Sequence, residues 1–200
     1  MAELKRLDSN YADEDGLLQY FCDTSLNDDW QGAINMSTYD WQDRPESLFN
    51  QLYTQKIYDG DKAGLYVYEE DGEIVCSVGL HYIEEVNCCV ASRVYAKATF
   101  NKFRKMRLLS SIYDDLWKNI ITPNYDGWIN FVNSYNIPMM EHLYKINRNG
   151  DKFTRIDTHC VFEKFDKELT YKNTKQFAIY HIVNEDKREN ILEYLDGLSN

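Results

Sequence analysis

Residues 88–120 read CCVASRVYAKATFNKFRKMRLLSSIYDDLWKNI, and the fold turns on this stretch. Cys88 to Ala96 is a strand-like run. Leu108, Leu109, Ile112, Tyr113, Leu116, Trp117 and Ile120 then recur at a 3.6-residue period, which predicts an amphipathic helix. Pro123 and Gly127 bound a turn, and Trp128 to Val132 is a short apolar run of the buried-strand kind. Strand, helix and strand in that order predict a crossover unit in the middle of the chain.

Working outward, the first half reads as hairpins and helices. Leu65 to Glu70 alternates, Asp71-Gly72 is a strong two-residue hairpin signal, and Glu73 to Ile83 returns. Leu4 to Leu7 reads as a short first strand. Leu17, Leu18, Phe21 and Cys22 give Asp13 to Cys22 a helical face. Pro45 suits a helix first turn, with Leu48, Phe49, Leu52, Tyr53 and Ile57 as the stripe. Asn27 to Arg44 reads as a long loop or broken helix. On the far side, a helix is predicted from about Ile137 to Ile146, stopped by Asn149-Gly150. Phe153 to Glu163 and Phe177 to Val183 read as strands, and Ile191, Leu192, Leu195 and Leu198 as the face of a closing helix. The order β-α-α-β-β-β-α-β-α-β-β-α predicts an α/β or α+β mixed sheet with helices on both faces. The 200 residues read as one domain, 1–200, closed by a strand and helix over about 176–198.

Composition excludes several classes. Apolar residues make up 44% and charged residues 28%, which rules out wholesale disorder. A net charge of −11 argues against a general nucleic-acid binder and against docking on anionic lipid. There is no apolar run long enough to cross a membrane. The N-terminus lacks the apolar core of a signal peptide. Five cysteines without a C-x-x-C pair fit small buried hydrophobes in a reducing cytoplasm. The four histidines show no metal-ligand spacing, and Asp59-x-Asp61 lacks the other ligands of a calcium loop.

Charge is unevenly spread. Asn87 to Ser111 carries Arg93, Lys97, Lys102, Arg104, Lys105 and Arg107 and no acid. The net charge thus divides into +6 over these 25 residues and −17 over the other 175. The cations fall where a strand runs out and a helix begins, and amides at a helix start already favour anions. A phosphate or pyrophosphate site fits this arrangement. So does a solvated cationic loop that pairs with the chain's own carboxylates.

Topology and basic turn together resemble the GNAT acyl-CoA-dependent N-acyltransferases, from about Leu4 to Phe162. Val94-Tyr95-Ala96, followed by Phe103 to Leu109, is similar to that family's strand, pyrophosphate loop and helix. Gly127 to Asn133 resembles its fifth strand. Asn136 to Lys145, with Asn136, Met140 and Tyr144, resembles its N-x₃-A-x₃-Y-x-K helix. The resemblance implies a mostly antiparallel central sheet with a β-α-β crossover. It departs at the family's Q/R-x-x-G-x-G/A loop. With Arg104 first, the glycine positions hold Arg107 and Leu109, and no glycine occurs between Gly79 and Gly127. Either side-chain cations take over from the backbone amides, or acyl-CoA binding has been lost.

What the resemblance implies chemically is a transfer of an acetyl or related acyl group from acetyl-CoA or another acyl-CoA to a small-molecule or protein amine. A homodimer is left open. Arg104, Lys105, Arg107 and Leu108 would receive the pyrophosphate, with Val94, Tyr95 and Asn136 along the rest of the ligand. Tyr144 would protonate the leaving thiolate, unless it is a helix-face core aromatic. Glu84 is the candidate base, with Glu85 and His81 as alternatives. Asp13, Glu14, Asp15, Asp23, Asp28, Asp29, Asp40 and Asp43, among Trp30, Tyr39 and Trp41, would hold a cationic acceptor or form a solvated acidic face. The rival class is a binding protein that keeps the scaffold without turnover.

Overall fold

The computed structural model describes residues 3–25, 49–97, 99–132, 146–149, 152–155, 161–171 and 174–199. These divide into two compact units. The first comprises Met1–His81 with Ser92–Tyr113, and the second Tyr82–Ala91 with Asp114–Asn200.

In the first unit, β1 (Glu3–Leu7) pairs antiparallel with β2 (Gly64–Glu70), which pairs antiparallel with β3 (Glu73–Ile83). Asp71 and Gly72 join β2 to β3 with φ of 53° and 82°. Two left-handed residues in succession make the tight turn that matches strand twist, as Asp-Gly predicts. β4 (Cys88–Ala96) lies beside β3 and runs on through both units. Between β1 and β2 comes α1 (Glu14–Ser25). Asp13 starts it, its carboxylate accepting the Gly16 N–H at 3.1 Å. Any Cβ on Gly16 would overlap that carboxylate, at 2.2 Å from Oδ2. Leu17, Tyr20 and Phe21 from α1 meet Leu7, Leu52, Tyr58, Leu65, Val67, Ile74 and Tyr95 in one buried cluster. The helix expected from Pro45 is described from Phe49 onward. It ends in a wide turn over Asn50–Thr54, so Ile57 packs on the core from a turn rather than from the helix stripe.

After β4 comes α2 (Lys102–Leu116), extended by a wide turn over Trp117–Ile121 and a short one over Thr122–Asn124. In the second unit, β5 (Gly127–Val132) pairs parallel with β4, from Cys88 opposite Gly127 to Val90 opposite Ile129. The strands β6 (Ile146–Asn149), β7 (Lys152–Arg155), β8 (Val161–Lys164), β9 (Leu169–Tyr171) and β10 (Thr174–Ile182) follow. Hydrogen-bonded neighbours here run β4-β5-β10-β8-β7-β6, with β9 also beside β10. Every pairing of β5 through β10 with one another is antiparallel. The closing helix α3 (Arg188–Gly197) places Ile191 and Leu195 against Ile83, Cys88, Val90, Ile129, Ala178, Tyr180 and Ile182. The sheet is mixed and mostly antiparallel, with one β-α-β crossover, as expected.

Two expectations change. Ile146 belongs to a strand and not to the end of a helix; the body of that predicted helix, 133–145, lies outside the described residues. The single strand expected from Phe153 to Glu163 is two, β7 and β8. Asn149 pairs with Lys152 and so ends a strand rather than a helix; Gly150 lies outside the described residues.

Asp126 fixes the start of the parallel pair. Its carboxylate accepts from Asn87 at 3.0 Å and from Asn184 at 2.9 Å, and its N–H donates to the Asn87 carbonyl at 2.8 Å. Next to it, a Cβ on Gly127 would lie 2.9 Å from Cys88 Sγ, 3.1 Å from Ile191 Cδ1 and 3.2 Å from the His181 carbonyl oxygen. Gly127→Val should therefore cost about 1–3 kcal/mol of stability by overpacking. Gly60→Ala, where nothing lies within 4 Å, should be neutral or mildly stabilising. Urea melts of both variants check this; equal losses would contradict the packing account.

Candidate functional site

The cationic stretch is built by four hydrogen bonds in the first unit. The Lys97 N–H donates to the Val75 carbonyl at 2.9 Å, holding the end of β4 to β3. The Phe100 N–H donates back to the Lys97 carbonyl at 3.1 Å and closes a turn. Asn101 then caps α2: its side-chain oxygen accepts the Arg104 N–H at 3.0 Å, and its carbonyl accepts the Lys105 N–H at 3.1 Å. The connecting loop is therefore 97–101. Arg104, Lys105, Arg107, Leu108 and Leu109 lie in the first turns of a helix and not in a loop. Without glycine, the helix starts at once after its cap, and Leu108 and Leu109 are buried.

Electrostatics divide the cations into two pairs. Arg104 Nη2 lies 2.5 Å from Glu70 Oε2, with its guanidinium 3.7 Å from the Phe100 ring centroid. Lys97 forms an ion pair with Glu73 and holds that carboxyl below its ordinary range. The reading in which the cations pair with the chain's own carboxylates is thus met for two of them, Arg104 and Lys97. Among the described residues, neither Lys105 nor the exposed Arg107 has an ion-pair partner. Beside them Phe103 is 82% exposed, a large apolar ring standing in water on a cationic helix start.

The strand side is anchored from beneath. Tyr95 is buried and Val94 half-buried. The Tyr20 hydroxyl, on α1, donates to the Tyr95 carbonyl at 3.1 Å and accepts from Ser77 at 3.0 Å. Burial pushes this phenol well above its ordinary range, so it stays a donor.

Glu84 is exposed in the turn before β4, whereas Val94 and Tyr95 lie in the last three residues of that strand. His81 packs its ring against buried Tyr58 at 5.5 Å. Asn136, Tyr144 and most of the acidic and aromatic run, including Asp28, Asp29, Asp40, Asp43, Trp30, Tyr39 and Trp41, lie outside the described residues. The thiols of Cys76, Cys88 and Cys89 are buried and free, and burial pushes Cys88 up to about 12. No group of three metal-ligating side chains occurs among the described residues, and no helix there is long and apolar enough to cross a membrane.

Sequence reasoning passed over Asn101, Phe103, Glu70 and Glu73. Asn101 had a signal, a capping residue just ahead of the periodic stripe. Phe103 had one too, falling off that stripe. The acidic partners had none, since they are 34 and 24 residues away from their cations.

No family model and no curated protein matches this chain by sequence. Solved structures match its fold. An acetyltransferase of the GNAT family from Staphylococcus aureus Mu50 superposes with a TM-score of 0.53 at 12% identity, over 91% of this chain and all of its own. The fold is GNAT-like. The PaiA N-acetyltransferase of Thermoplasma acidophilum, solved with coenzyme A, gives 0.54 at 15% identity, over 91% of this chain and 99% of its own. The aminoglycoside acetyltransferase AAC(6')-Ib, also solved with coenzyme A, gives 0.56 at 11% identity, over 94% and 98%.

Removing the Tyr20 hydroxyl takes the donor from the Tyr95 carbonyl inside a buried core. Tyr20→Phe should cost about 1–2 kcal/mol, read from urea melts. A variant as stable as the parent would mean the hydrogen bond does not hold β4.

Proposed function

We propose that this chain is an acyl-CoA-dependent N-acyltransferase that moves an acetyl or related acyl group to an amine of a small molecule or protein. One observation carries the reading. Lys105 and Arg107, which have no carboxylate partner among the described residues, stand on the first turns of the crossover helix, in a fold shared with acetyltransferases of which two were solved with coenzyme A.

Lys105 and Arg107 meet the diphosphate, and Arg104 joins them once released from Glu70. The capped helix start adds its partial positive charge. Phe103 offers an aromatic face beside the cations, which suits a purine ring. Side-chain charge here does what glycine-loop amides would otherwise do. The end of β4, held rigid through Tyr20 and Tyr95, supports the thioester arm beside Val94. The resemblance assigns Asn136, outside the described residues, to the same ligand. In the transfer, the neutral amine forms a C–N bond with the acyl carbon as the C–S bond breaks, and the nitrogen's surplus proton passes to water. Tyr144 gives its proton to the departing sulfur. Glu84, in the turn that precedes β4, is given no step.

The absence of glycine from residues 80–126 favours a second reading, a scaffold that binds a partner without turnover. Thermal melts with acetyl-CoA separate the two. Saturating acetyl-CoA should raise the melting temperature of the parent by mass action. The triple variant Arg104→Ala, Lys105→Ala, Arg107→Ala should show at most a tenth of the parent's affinity, with a flatter salt dependence. Tyr144→Phe should keep the thermal shift and lose at least tenfold in turnover. No shift with acetyl-CoA or longer acyl-CoAs would leave only the scaffold.

A further inference from the structure

Glu70 and Glu73 stand directly opposite each other across the β2–β3 turn. Like charges so placed repel, and the left-handed Asp71-Gly72 turn fixes their register. Each is relieved by a cation from the β4–α2 junction: Arg104 Nη2 at 2.5 Å from Glu70, and Lys97 on Glu73. A design for stability alone would not set two carboxylates side by side and then answer both from a segment that is otherwise free of acids. Two anionic groups side by side on one tip are, however, what a diphosphate also presents.

We infer that the β2–β3 hairpin tip is an internal stand-in for the ligand's phosphates. With no ligand bound, its two carboxylates occupy Arg104 and Lys97. An arriving diphosphate takes Arg104 from Glu70, and the hairpin tip is released. This deepens the acyltransferase reading and rests on it, as a regulation of the same site. The exchange is energetically accessible. The Arg104 and Glu70 side chains are 48% and 30% exposed, and exposed ion pairs shift an equilibrium only a few-fold. A phosphate offers the guanidinium a paired, charge-assisted fork in return. The cost is weakened ligand binding by competition. That competition also discriminates, since a singly charged anion gains too little to displace the tip.

The test titrates inorganic pyrophosphate, and separately acetyl-CoA, into three full-length proteins by calorimetry. These are the parent, Glu70→Gln/Glu73→Gln, and Glu3→Gln/Glu69→Gln. The last removes the same charge from neighbouring strand positions, where Glu69 pairs with Lys5 instead. The hairpin-tip variant should bind both ligands three- to tenfold tighter than the parent, and the control less than twofold tighter. Equal affinity of the tip variant and the parent, or an equal gain in the control, overturns the stand-in. Tighter pyrophosphate binding by the tip variant, with acetyl-CoA bound by no protein, supports the stand-in and removes the acyltransferase reading. If neither ligand binds any of the three, both fall.

Discussion

Two strands that run side by side in the same direction cannot be joined by a tight turn. β4 and β5 are such a pair, so the chain leaving β4 must return through a crossover before β5 can form. α2 is that crossover, and its obligatory position determines where the charged stretch falls. The end of β4, five connecting residues and the first turns of a helix become a single local unit, closed by Asn101. Positive charge carried by that part of the sequence has nowhere else to go. Topology therefore gathers Lys97, Arg104, Lys105 and Arg107 into one neighbourhood before any ligand is considered.

The rest of the chain makes this neighbourhood electrostatically distinctive. With −17 distributed elsewhere, the long-range field opposes polyanions such as nucleic acid. In the proposed reading the balance reverses at contact distance, where a compact diphosphate would meet several cations and few competing acids. The competing acids that do reach the site come from the hairpin tip, and their exposed ion pairs are weak enough to exchange. A glycine-poor helix start and a carboxylate-covered guanidinium are then two aspects of one arrangement. In the proposed reading, charge on side chains replaces the backbone cradle and is neutralised by the hairpin carboxylates when no ligand is bound.

The features that were legible in the sequence were local ones. Asp71-Gly72 specifies its own turn through backbone conformation, and both residues have positive φ. The stripe from Leu108 to Trp117 specifies a buried face through periodicity, and Leu108, Leu109, Ile112, Tyr113 and Leu116 are buried. The crossover followed from those elements and their order. What was not legible depended on distance or on brevity. β6, β7 and β8 hold only four residues each, too few for alternation to declare itself, so a helix end and one long strand were expected there. The cations Arg104, Lys105 and Arg107 were legible as charge, but their helical state depended on the Asn101 cap. Their carboxylate partners are contributed by a hairpin 24 to 34 residues earlier, and no local pattern encodes such a meeting. The Tyr20–Tyr95 hydrogen bond spans 75 residues and was invisible for the same reason.

The most direct test follows backbone amide resonances of the full chain while acetyl-CoA is added. The account predicts saturable shifts confined mainly to residues 94–97 and 101–108, together with Glu70 to Glu73, and their attenuation as salt is raised. Shifts that leave residues 101–108 unmoved while another surface responds, or no saturable shift at all, would contradict it.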